Sequence, residues 1–587
     1  MTATVPARPR QVAAARSSPA ARRRWAALAG LAAYLGLAVL LTHSAWVDPS
    51  GRWIGAEGDP GIFIWDLRWV PFALGHGYDP LVTNYLHAPG GVNLMWNTSI
   101  LLPSLLMAPV TLAFGPIASY NVLAVLALAG SAWVAFLVFR RWARPAAAWV
   151  GALVYGFSPL IVSETYGHPQ VTLLLVPPLV LGLYHDVLRG RRSPLVAGSL
   201  VGLLVVAQLL TGEEILAETA LAGVLGLLWV AVLARDRVGR HLQAMAEALG
   251  ATFLVALALG AVPLAVQFAG PHQLHGPLQP FNVFVLDLEG PFVPTVAQWL
   301  HTSGSVAVSM HWTGFLTETN GYLGLLLPVV VGIVIVLRRE RIVVWASGLA
   351  LALLVLALGP SLHVDGRDTG VPLPWKLAQH VPLAKNAIPS RLLLLVYLLC
   401  GLLLAIAIDR LLHRRGASRW LGLAAVGAAL VSLIPTPHYA VTAAAVPAYF
   451  HTSVRTLPQG TTAVVSPYPS TRPMVWQAEA DMRFRITGGY LFTQTRFGAG
   501  LNVADSFAMR LSYLEAQPGF SPVVTPFDRA YFLRLLHGHR VGVVIVGPSP
   551  GQAKVAAFMT NLLGRQPETE PGGVLVFPIG ARAPSLR

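Results

Sequence analysis

Apolar stretches of helix length recur along most of the chain. The first runs from Trp25 to about Leu41 and is followed by a long, mixed loop, residues 44–118. Further apolar runs occupy 119–139, 146–163, 171–188, 194–211, 215–234, 245–268, 321–337, 342–359, 391–412 and 419–435. About 20 apolar residues in a helix cross a ~30 Å hydrocarbon layer. The pattern therefore predicts a polytopic α-helical membrane protein with about eleven transmembrane helices.

The charge of the connecting segments predicts their sides of the membrane. Arginine-rich connections lie at 140–144, 189–192, 235–240, 338–341 and 413–415. They alternate with connections that carry acids and histidines, at 164–169, 212–214, 269–320 and 360–390. Basic connections stay in the cytoplasm, which places the second set outside. The basic tail, residues 1–24, is then cytoplasmic, and the run after it is too long for a typical signal core, so we expect an uncleaved first helix.

One apolar run does not fit this alternation. Residues 100–114 are short and interrupted by Pro103 and Pro109. Counting this run as a crossing would move every later arginine cluster to the external face. We therefore expect a helix that lies in, or dips into, the outer membrane surface. A true crossing with an unusual charge bias stays open as the alternative, because orientation signals late in a chain are weaker.

After Pro435 the pattern changes from long apolar runs to short ones. Residues 461–466, 541–546 and 573–578 are typical of strands, and 529–536 and 552–563 of amphipathic helices. The chain thus divides into a cytoplasmic tail (1–24), a membrane bundle (25–435) with the external loop 44–118, and an extracytoplasmic α/β domain (436–587). This last part has no metal-ligand motif or glycine-rich phosphate loop, which favours a structural or acceptor-facing role.

Composition narrows the class of protein further. With 55% hydrophobic and 11% charged residues, the chain is not an ordinary soluble protein. Its net charge of +15 is carried by arginines in the short connections, so it predicts orientation and no nucleic-acid partner. The single cysteine, Cys400, excludes a disulfide framework. Abundant alanine and arginine with only three lysines favour a GC-rich bacterial genome, and hence the bacterial plasma (inner) membrane.

Four motifs carry a resemblance to a known family. They are Gly58-Asp59-Pro60 with Trp65 and Trp69, Tyr155 to Pro159 followed by Gly167-His168, Asn320 to Gly324, and Ile388 to Arg391. With the loop arrangement above, they resemble the GT-C fold of integral-membrane glycosyltransferases, within a poorly characterised bacterial group. The motifs are moderately specific for that family and weak for a substrate.

The resemblance implies an enzyme that transfers a hexosyl or pentosyl group from a polyprenyl-phosphate sugar donor, with inversion at the anomeric carbon. The acceptor would be an extracytoplasmic glycan, lipid or protein, and the membrane lipid itself would be a partner. A divalent cation, Mg²⁺ or Mn²⁺, is the candidate cofactor, and its ligands stay open. The alternatives are a non-enzymatic lipid or glycan transporter and an inactive GT-C relative that assists assembly. Transporters often carry internal repeats and charges within their crossings, whereas the acids here cluster at outer helix ends.

Sugar transfer needs a carboxylate base for the acceptor hydroxyl and a positive charge for the departing phosphate. Asp59 is the first candidate for base or metal ligand, because it matches the acidic motif in the first external loop of GT-C enzymes. It could instead cap a helix that begins at Pro60. Asp66 is a second catalytic candidate, since seven residues make about two helical turns and would place both acids on one face. Its alternative is a pair with Arg68 or a local cap.

Seven further residues are candidates for substrate binding. Glu164 and His168 are spaced i to i+4 at an outer helix end, with local hydrogen bonding as the alternative. Glu213 and Glu214 form a short external turn, where unpartnered acids at membrane depth are costly, and a turn that simply faces water is the alternative. His87 lies in the external loop and is a candidate for the sugar site or an ordinary loop histidine.

Lys385 and Arg391 stand where a loop re-enters the membrane, at the depth of a lipid head group. Arginine suits bidentate recognition of phosphate. Cations at helix ends also commonly extend to the interface without binding a ligand, which is the alternative. The glycosyltransferase hypothesis requires Asp59 and Glu164 to lie close together above the same leaflet.

Overall fold

The computed structural model describes residues 19–233, 238–381, 384–437, 439–468, 470–495, 498–501, 506–517 and 519–579. Most of the predicted basic tail (residues 1–18), part of the predicted basic connection 235–240 and the end of the predicted C-terminal domain (residues 580–587) lie outside the described residues.

Helices dominate the described chain. The α-helices are α1 Pro19–Leu41, α2 Pro60–Gly75, α3 Leu101–Phe114, α4 Pro116–Phe139, α5 Pro145–Gly156, α6 Pro159–Glu164, α7 Pro169–Thr172, α8 Val176–Leu188, α9 Pro194–Leu209, α10 Glu213–Leu233, α11 Val238–Ala269, α12 Ser303–Ser309, α13 Leu316–Thr319, α14 Leu326–Leu337, α15 Arg341–Ala357, α16 Leu393–His413, α17 Ala417–Ser432, α18 Arg472–Glu479, α19 Ser506–Ala516, α20 Pro526–Gly538 and α21 Gln552–Leu563. Short 3₁₀ helices occupy His43–Val47, Leu94–Trp96, Pro374–His380, Ala384–Asn386, Pro389–Leu392, Ala448–His451 and Ser453–Thr456.

Strands are short and concentrated near the C-terminal end. They are β1 Arg52–Ile54, β2 Val82–Thr83, β3 Val92–Asn93, β4 Ser361–Val364, β5 Arg367–Pro372, β6 Val441–Ala443, β7 Thr461–Ser466, β8 Phe484–Ile486, β9 Phe492–Thr495, β10 Gly498–Leu501, β11 Val543–Val546, β12 Glu568–Glu570 and β13 Val574–Pro578.

The apolar helices agree with the predicted runs. Among the described residues, six helices are long and apolar enough to cross a membrane: Arg24–Leu41, Pro116–Phe139, Pro169–Leu188, Glu213–Leu233, His241–Ala269 and Pro389–His413. Six shorter apolar helices are Leu101–Phe114, Pro145–Gly156, Pro194–Leu209, Leu326–Leu337, Arg341–Ala357 and Ala417–Ser432. Together they correspond to the eleven predicted crossings and the run 100–114. The chain is therefore a mostly helical, multi-pass membrane protein, whereas the number of crossings and their orientation stay predictions.

The predicted run 146–163 is not one continuous helix. It breaks after Phe157, where the Ser158 hydroxyl accepts a hydrogen bond from Ile161 N–H and Pro159 opens α6. A serine cap followed by proline begins a new helix, because proline needs no intrahelical donor at that position. The run 171–188 is similarly divided into α7 and α8. These breaks produce the irregular segment that carries Glu164 and His168.

Close backbone contacts hold the centre of the bundle together. Helix α16 is almost wholly buried, and it packs on α5 where Gly401 meets Gly151. A Cβ atom on either glycine would collide with the carbonyl oxygen of the other. Small residues allow membrane helices to approach in this way.

The C-terminal sheet region, residues 441–579, contains a mixed five-stranded sheet in the order β12-β13-β11-β7-β8. Strands β11, β7 and β8 are parallel neighbours, and β13 is antiparallel to both β11 and β12. The predicted strands 461–466, 541–546 and 573–578 coincide with β7, β11 and β13, and the predicted helices lie within α20 and α21.

The loop 44–118 and the sheet region form one continuous structure. Strand β1 pairs antiparallel with β6, and Ile486 N–H donates to Tyr85 O at 2.9 Å. The indole Nε1 of Trp65 donates to Gln477 Oε1 at 2.6 Å, and the Trp65 and Trp69 rings stack 5.3 Å apart. Helix α2 is therefore fixed between the bundle and the sheet region, which determines where Asp59 lies.

The glycine contact between α5 and α16 gives a stability prediction. Gly401→Val should lower the free energy of unfolding by about 1–3 kcal/mol, the usual cost of overpacking. Gly427→Val is the matched control, since a Cβ at Gly427 meets no atom within 4 Å. Thermal unfolding in detergent measures both. Equal midpoints for the two variants would contradict the proposed packing.

Candidate active site

Asp59 lies at the start of α2, where three contacts fix the backbone. Ala56 N–H donates to Tyr166 O at 2.9 Å, and the Thr471 hydroxyl donates to Gly58 O at 2.8 Å. Gly55 has a positive φ of 108°, and a Cβ there would collide with Tyr166 O. Only glycine therefore allows this approach to the segment that contains His168.

The predicted helix does begin at Pro60, yet the Asp59 carboxylate makes no capping hydrogen bond. Its Oδ2 instead lies 2.9 Å from His168 Nε2. The side chain leaves the helix and turns towards the segment after α6. The helix-cap interpretation is therefore wrong, and the role of Asp59 as base or metal ligand stays a prediction.

His168 lies between two carboxylates. Its Nε2 contacts Asp59, and its Nδ1 lies 2.6 Å from Glu164 Oε2. An ionised carboxylate only accepts hydrogen bonds, so a histidine that serves two of them carries hydrogen on both nitrogens. Burial lowers the pKa of His168, but Glu164 and Asp59 more than offset this effect and raise it to about 10. His168 is therefore an imidazolium at neutral pH.

Arg391 is the second cation of the site. Its Nε donates to Glu164 Oε1 at 2.8 Å, and its Nη2 to Glu318 Oε1 at 3.3 Å. Its Nη1 donates to Glu214, whose Oε1 also accepts from Ile388 N–H at 2.7 Å. The 3₁₀ helix Pro389–Leu392 positions this side chain at the start of α16.

These six residues form what we call the acidic cluster: Asp59, Glu164, Glu214, Glu318, His168 and Arg391. Burial raises the pKa of Glu164, but the charges of Arg391 and His168 outweigh it and hold that pKa below its usual value. Burial, followed by the charge of Glu164, raises the pKa of Glu318. Four acids face two cations, so the cluster is net negative when all are ionised.

Exposure falls steadily along the row from Asp59 to Glu164. The side chain of Asp59 is 38% exposed, that of His168 is 12% exposed, and that of Glu164 is fully buried. A molecule that reaches the cluster along this row therefore meets Asp59 first.

Glu318 is a member that the sequence analysis missed. It lies in the four-residue helix α13, where the Thr317 hydroxyl donates to its Oε2 at 2.6 Å. Asn320 anchors this segment by donating to Pro159 O at 2.8 Å. The sequence signal that could have identified Glu318 is its position two residues before the motif Asn320 to Gly324.

Glu218 was also missed. It is 2% exposed on α10, one turn after Glu214, and within the described chain neither carboxylate oxygen has a hydrogen-bond partner. A helical spacing of four residues from Glu214 was the signal that would have found it.

Asp66 does not join the cluster. It is 2% exposed and accepts a 3.4 Å hydrogen bond from Ile100 N–H, and burial raises its pKa. Arg68, its suggested partner, pairs with Asp481 instead, at 2.6 Å. Because the Asp59 side chain leaves the helix, the shared-face argument does not bring the two acids together.

Three other predicted residues also lie elsewhere. Glu213 accepts from Gln267 Nε2 at 2.9 Å, although its neighbour Glu214 belongs to the cluster. His87 Nε2 lies 3.1 Å from Gly489 O, at a separate cavity. Lys385 makes no ion pair with any residue of the described ranges. The structure thus assembles Asp59, Glu164, His168, Glu214 and Arg391 from the predicted set.

The cluster also contains a candidate metal site. Ligand atoms of Glu164, His168 and Glu318 lie within 4.8 Å of one another, and two carboxylates with an imidazole suit a divalent cation. Oxygens of Glu164 and Glu318 also accept hydrogen bonds from Arg391. The donor types fit a metal ion, provided that the guanidinium moves away and His168 loses a proton.

No protein-family model matches the sequence, and the curated protein sequences give no match either. The fold, in contrast, is similar to solved glycosyltransferases. Arabinofuranosyltransferase AftD from Mycobacteria gives a TM-score of 0.55 at 16% identity, over 96% of this chain and 40% of AftD. ArnT from Cupriavidus metallidurans, bound to undecaprenyl phosphate, gives 0.50 at 13% identity, over 94% of this chain and 98% of ArnT.

The chain therefore spans about two fifths of the length of AftD. At these identities the likeness shows the fold alone. Over most of its length, the chain is structurally similar to GT-C membrane glycosyltransferases, which confirms the resemblance expected from the four motifs.

The ionisation of His168 gives a pH prediction. Its raised pKa stabilises the folded state fully below 6.5, its ordinary value, and this contribution is lost as the pH rises through about 10. The gap in thermal unfolding midpoint between the wild type and His168→Gln should be widest near pH ~6 and narrow above pH ~10. His76→Gln, at the exposed end of α2, should show no such trend. A gap that widens with pH would contradict the imidazolium.

Proposed function

We propose that the chain is a membrane glycosyltransferase of GT-C type with Asp59 as its general base. It would transfer a sugar from a polyprenyl-phosphate donor to an extracytoplasmic glycan, lipid or protein acceptor. The row Asp59–His168–Glu164 carries this proposal, because it has a single accessible carboxylate at its open end. In this hypothesis the loop 44–118 and the sheet region face the outside of a bacterial inner membrane.

The contacts of Asp59 support its use as a base. His168 Nε2 contacts Oδ2 of Asp59, so Oδ1 of Asp59 is left to accept a hydrogen bond from an acceptor hydroxyl. The acceptor oxygen would bond to the anomeric carbon while its proton passes to Asp59 and the bond to the phosphate oxygen breaks on the opposite side. His168 and Glu164 act as positioning residues that fix the direction of the carboxylate.

An apolar cavity of about 790 Å³ supports a lipid-linked donor. It lies among α8, α10, α15 and α16, and Leu216, Thr219, Leu395 and Leu398 are among its lining residues. Leu395 follows Arg391 by four residues, about one helical turn or ~6 Å along the helical segment Pro389–His413. A prenyl chain in this cavity would therefore hold its phosphate close to the acidic cluster.

Two sources of positive charge are available to the departing phosphate. Arg391 supplies a fixed one, although three carboxylates already engage it. The alternative source is a divalent cation, Mg²⁺ or Mn²⁺, held by Glu164, His168 and Glu318 once the guanidinium has moved away, which would neutralise developing negative charge. The net negative charge of the cluster favours binding of such a cation before an anionic donor enters.

Asp59→Asn tests the proposed base. In proteoliposomes with radiolabelled polyprenyl-phosphate sugars, we expect the transfer rate to fall by about 10²–10⁴-fold, because the amide cannot take a proton. Asp79→Asn is the control, since Asp79 is an exposed acid of the same loop that only accepts from Leu81 N–H. Unchanged turnover in Asp59→Asn would remove Asp59 from the chemistry.

Arg391→Gln tests the metal site through stability. Removing the guanidinium takes away the cation that three carboxylates share, which should cost about 3–5 kcal/mol. Mn²⁺ should then raise the unfolding midpoint of Arg391→Gln more than that of the wild type, because the arginine no longer competes. Arg391→Gln combined with Glu318→Gln should lose most of the response. Equal Mn²⁺ effects in all three proteins would contradict a site at these residues.

One observation favours a second candidate function, a non-enzymatic lipid transporter. The apolar cavity has charged groups near both ends, because Arg189, Arg191 and Arg341 also line it. A lipid phosphate would therefore find cations at either end. Transport would move the lipid without breaking a covalent bond, and Asp59→Asn would leave it intact, so the transfer assay separates the two functions.

A further inference from the structure

A second cavity, of about 350 Å³, lies between the sheet region and the loop 44–118. Its polar lining comes from both: His87 belongs to the loop, and Tyr468, Ser470, Thr487, Gly489 and His539 belong to the sheet region. None of these residues contributes to the acidic cluster. The cavity is therefore a separate feature whose use the proposed chemistry does not explain.

The topology of the sheet places this cavity where parallel sheets bind ligands. Strand β7 lies between its parallel neighbours β8 and β11. The chain goes from β7 to β8 on one side and reaches β11 on the other side only after α19 and α20. This reversal puts the topological switch point between β7 and β11, and ligands of such sheets bind outside the carboxyl ends of the strands, the edge on which this cavity lies. Residues that end β7 and β8 line the cavity.

Two loops connect the cavity to Asp59. The loop after β7 carries Ser470 and Thr471, and the Thr471 hydroxyl donates to Gly58 O at 2.8 Å. The loop after β8 contacts the other wall, where His87 N–H donates to Gly488 O at 2.9 Å. A molecule in the cavity would thus lie next to the segment that holds the proposed base.

The lining selects an uncharged ligand. Among the described residues that line it, none is Asp, Glu, Lys or Arg, so a phosphate or carboxylate would find no counter-charge. Hydroxyls of Tyr468, Ser470 and Thr487 and two imidazoles supply donors and acceptors for hydroxyl groups. The Tyr468 ring supplies an apolar face, which suits the C–H face of a sugar ring.

One polar atom of the lining has room for a partner. Within the described chain, the buried Nδ1 of His539 makes no hydrogen bond. Buried polar atoms are almost always hydrogen-bonded, so such an atom at a cavity indicates a missing partner. A sugar hydroxyl is a partner of suitable size and polarity.

We propose that this cavity binds a neutral sugar residue of the acceptor, with Tyr468, His87 and His539 as its contacts. This inference rests on the proposed glycosyltransferase function, because it makes the cavity the acceptor side of the Asp59 site. The acceptor is then a glycan whose terminal or penultimate residue carries no charge.

Direct binding tests the inference without any transfer reaction. The full chain in nanodiscs is titrated with methyl α-mannopyranoside and methyl α-arabinofuranoside as neutral probes and with methyl glucuronide as the charged probe, followed by saturation-transfer NMR. We expect saturable binding of at least one neutral probe and at least tenfold weaker binding of the glucuronide.

Variants locate the binding. Tyr468→Ala and His539→Ala should each weaken binding of the neutral probe at least tenfold. Tyr513→Ala and His537→Ala are matched controls, because both residues are exposed, on α19 and α20 of the sheet region, and lie outside the cavity lining. Thermal unfolding verifies that each variant is folded. If Tyr468→Ala is not folded, His539→Ala alone tests the inference. Absence of saturable binding, or equal binding in cavity variants and controls, overturns the inference.

Asp59→Asn separates this inference from the function on which it rests. If Asp59→Asn abolishes transfer while the cavity variants bind the probe as well as the wild type does, the proposed function stands and the assignment of the acceptor cavity is wrong. If the cavity variants lose probe binding while Asp59→Asn transfers normally, the cavity is a glycan site and the proposed base is wrong.

Discussion

Glu164 is fully buried and bonds two cations at once, and the site depends on this arrangement. One oxygen faces His168 and the other faces Arg391. Two carboxylate–cation contacts in a low-dielectric interior are stable only while every partner is present. The members of the acidic cluster come from the start of α2, from α6 and the segment after it, from the start of α10, from α13 and from the 3₁₀ helix before α16. The cluster therefore forms only when these elements have assembled.

Asp59, the accessible end of the row Asp59–His168–Glu164, lies in the loop 44–118, and its position also depends on packing between separate elements. Asp59 has no capping hydrogen bond of its own, so its position depends on Tyr166 O and on the Thr471 hydroxyl. The first contact comes from the membrane bundle, and the second comes from the sheet region. The proposed base is therefore placed by contacts with both the bundle and the sheet region, whereas the adjacent cavity is lined by the loop 44–118 and the sheet region.

The sequence predicted the helices well because their signal is local. Length and hydropathy identify an apolar run without knowledge of its neighbours, and even the break before α6 had a local signal in Ser158-Pro159. Glu164, His168 and Arg391 were found because polar groups beside the outer ends of apolar helices are few, whereas Asp59 was found from the acidic motif of the GT-C resemblance. Glu318 was missed because it lies in a long loop with no pattern, and the contact of Asn320 with Pro159 brings that loop to α6. Asp66 was expected beside Asp59 from helical spacing, which does not reveal that a residue at the helix start directs its side chain away.

A structure by electron cryo-microscopy, with a non-hydrolysable polyprenyl-phosphonate sugar in nanodiscs, would test the central claim most directly. The account predicts the prenyl chain in the cavity among α8, α10, α15 and α16, the phosphonate beside the acidic cluster, and the anomeric carbon facing Asp59 Oδ1. A head group bound at the Arg189 and Arg341 end of that cavity, with nothing near Asp59, would contradict it.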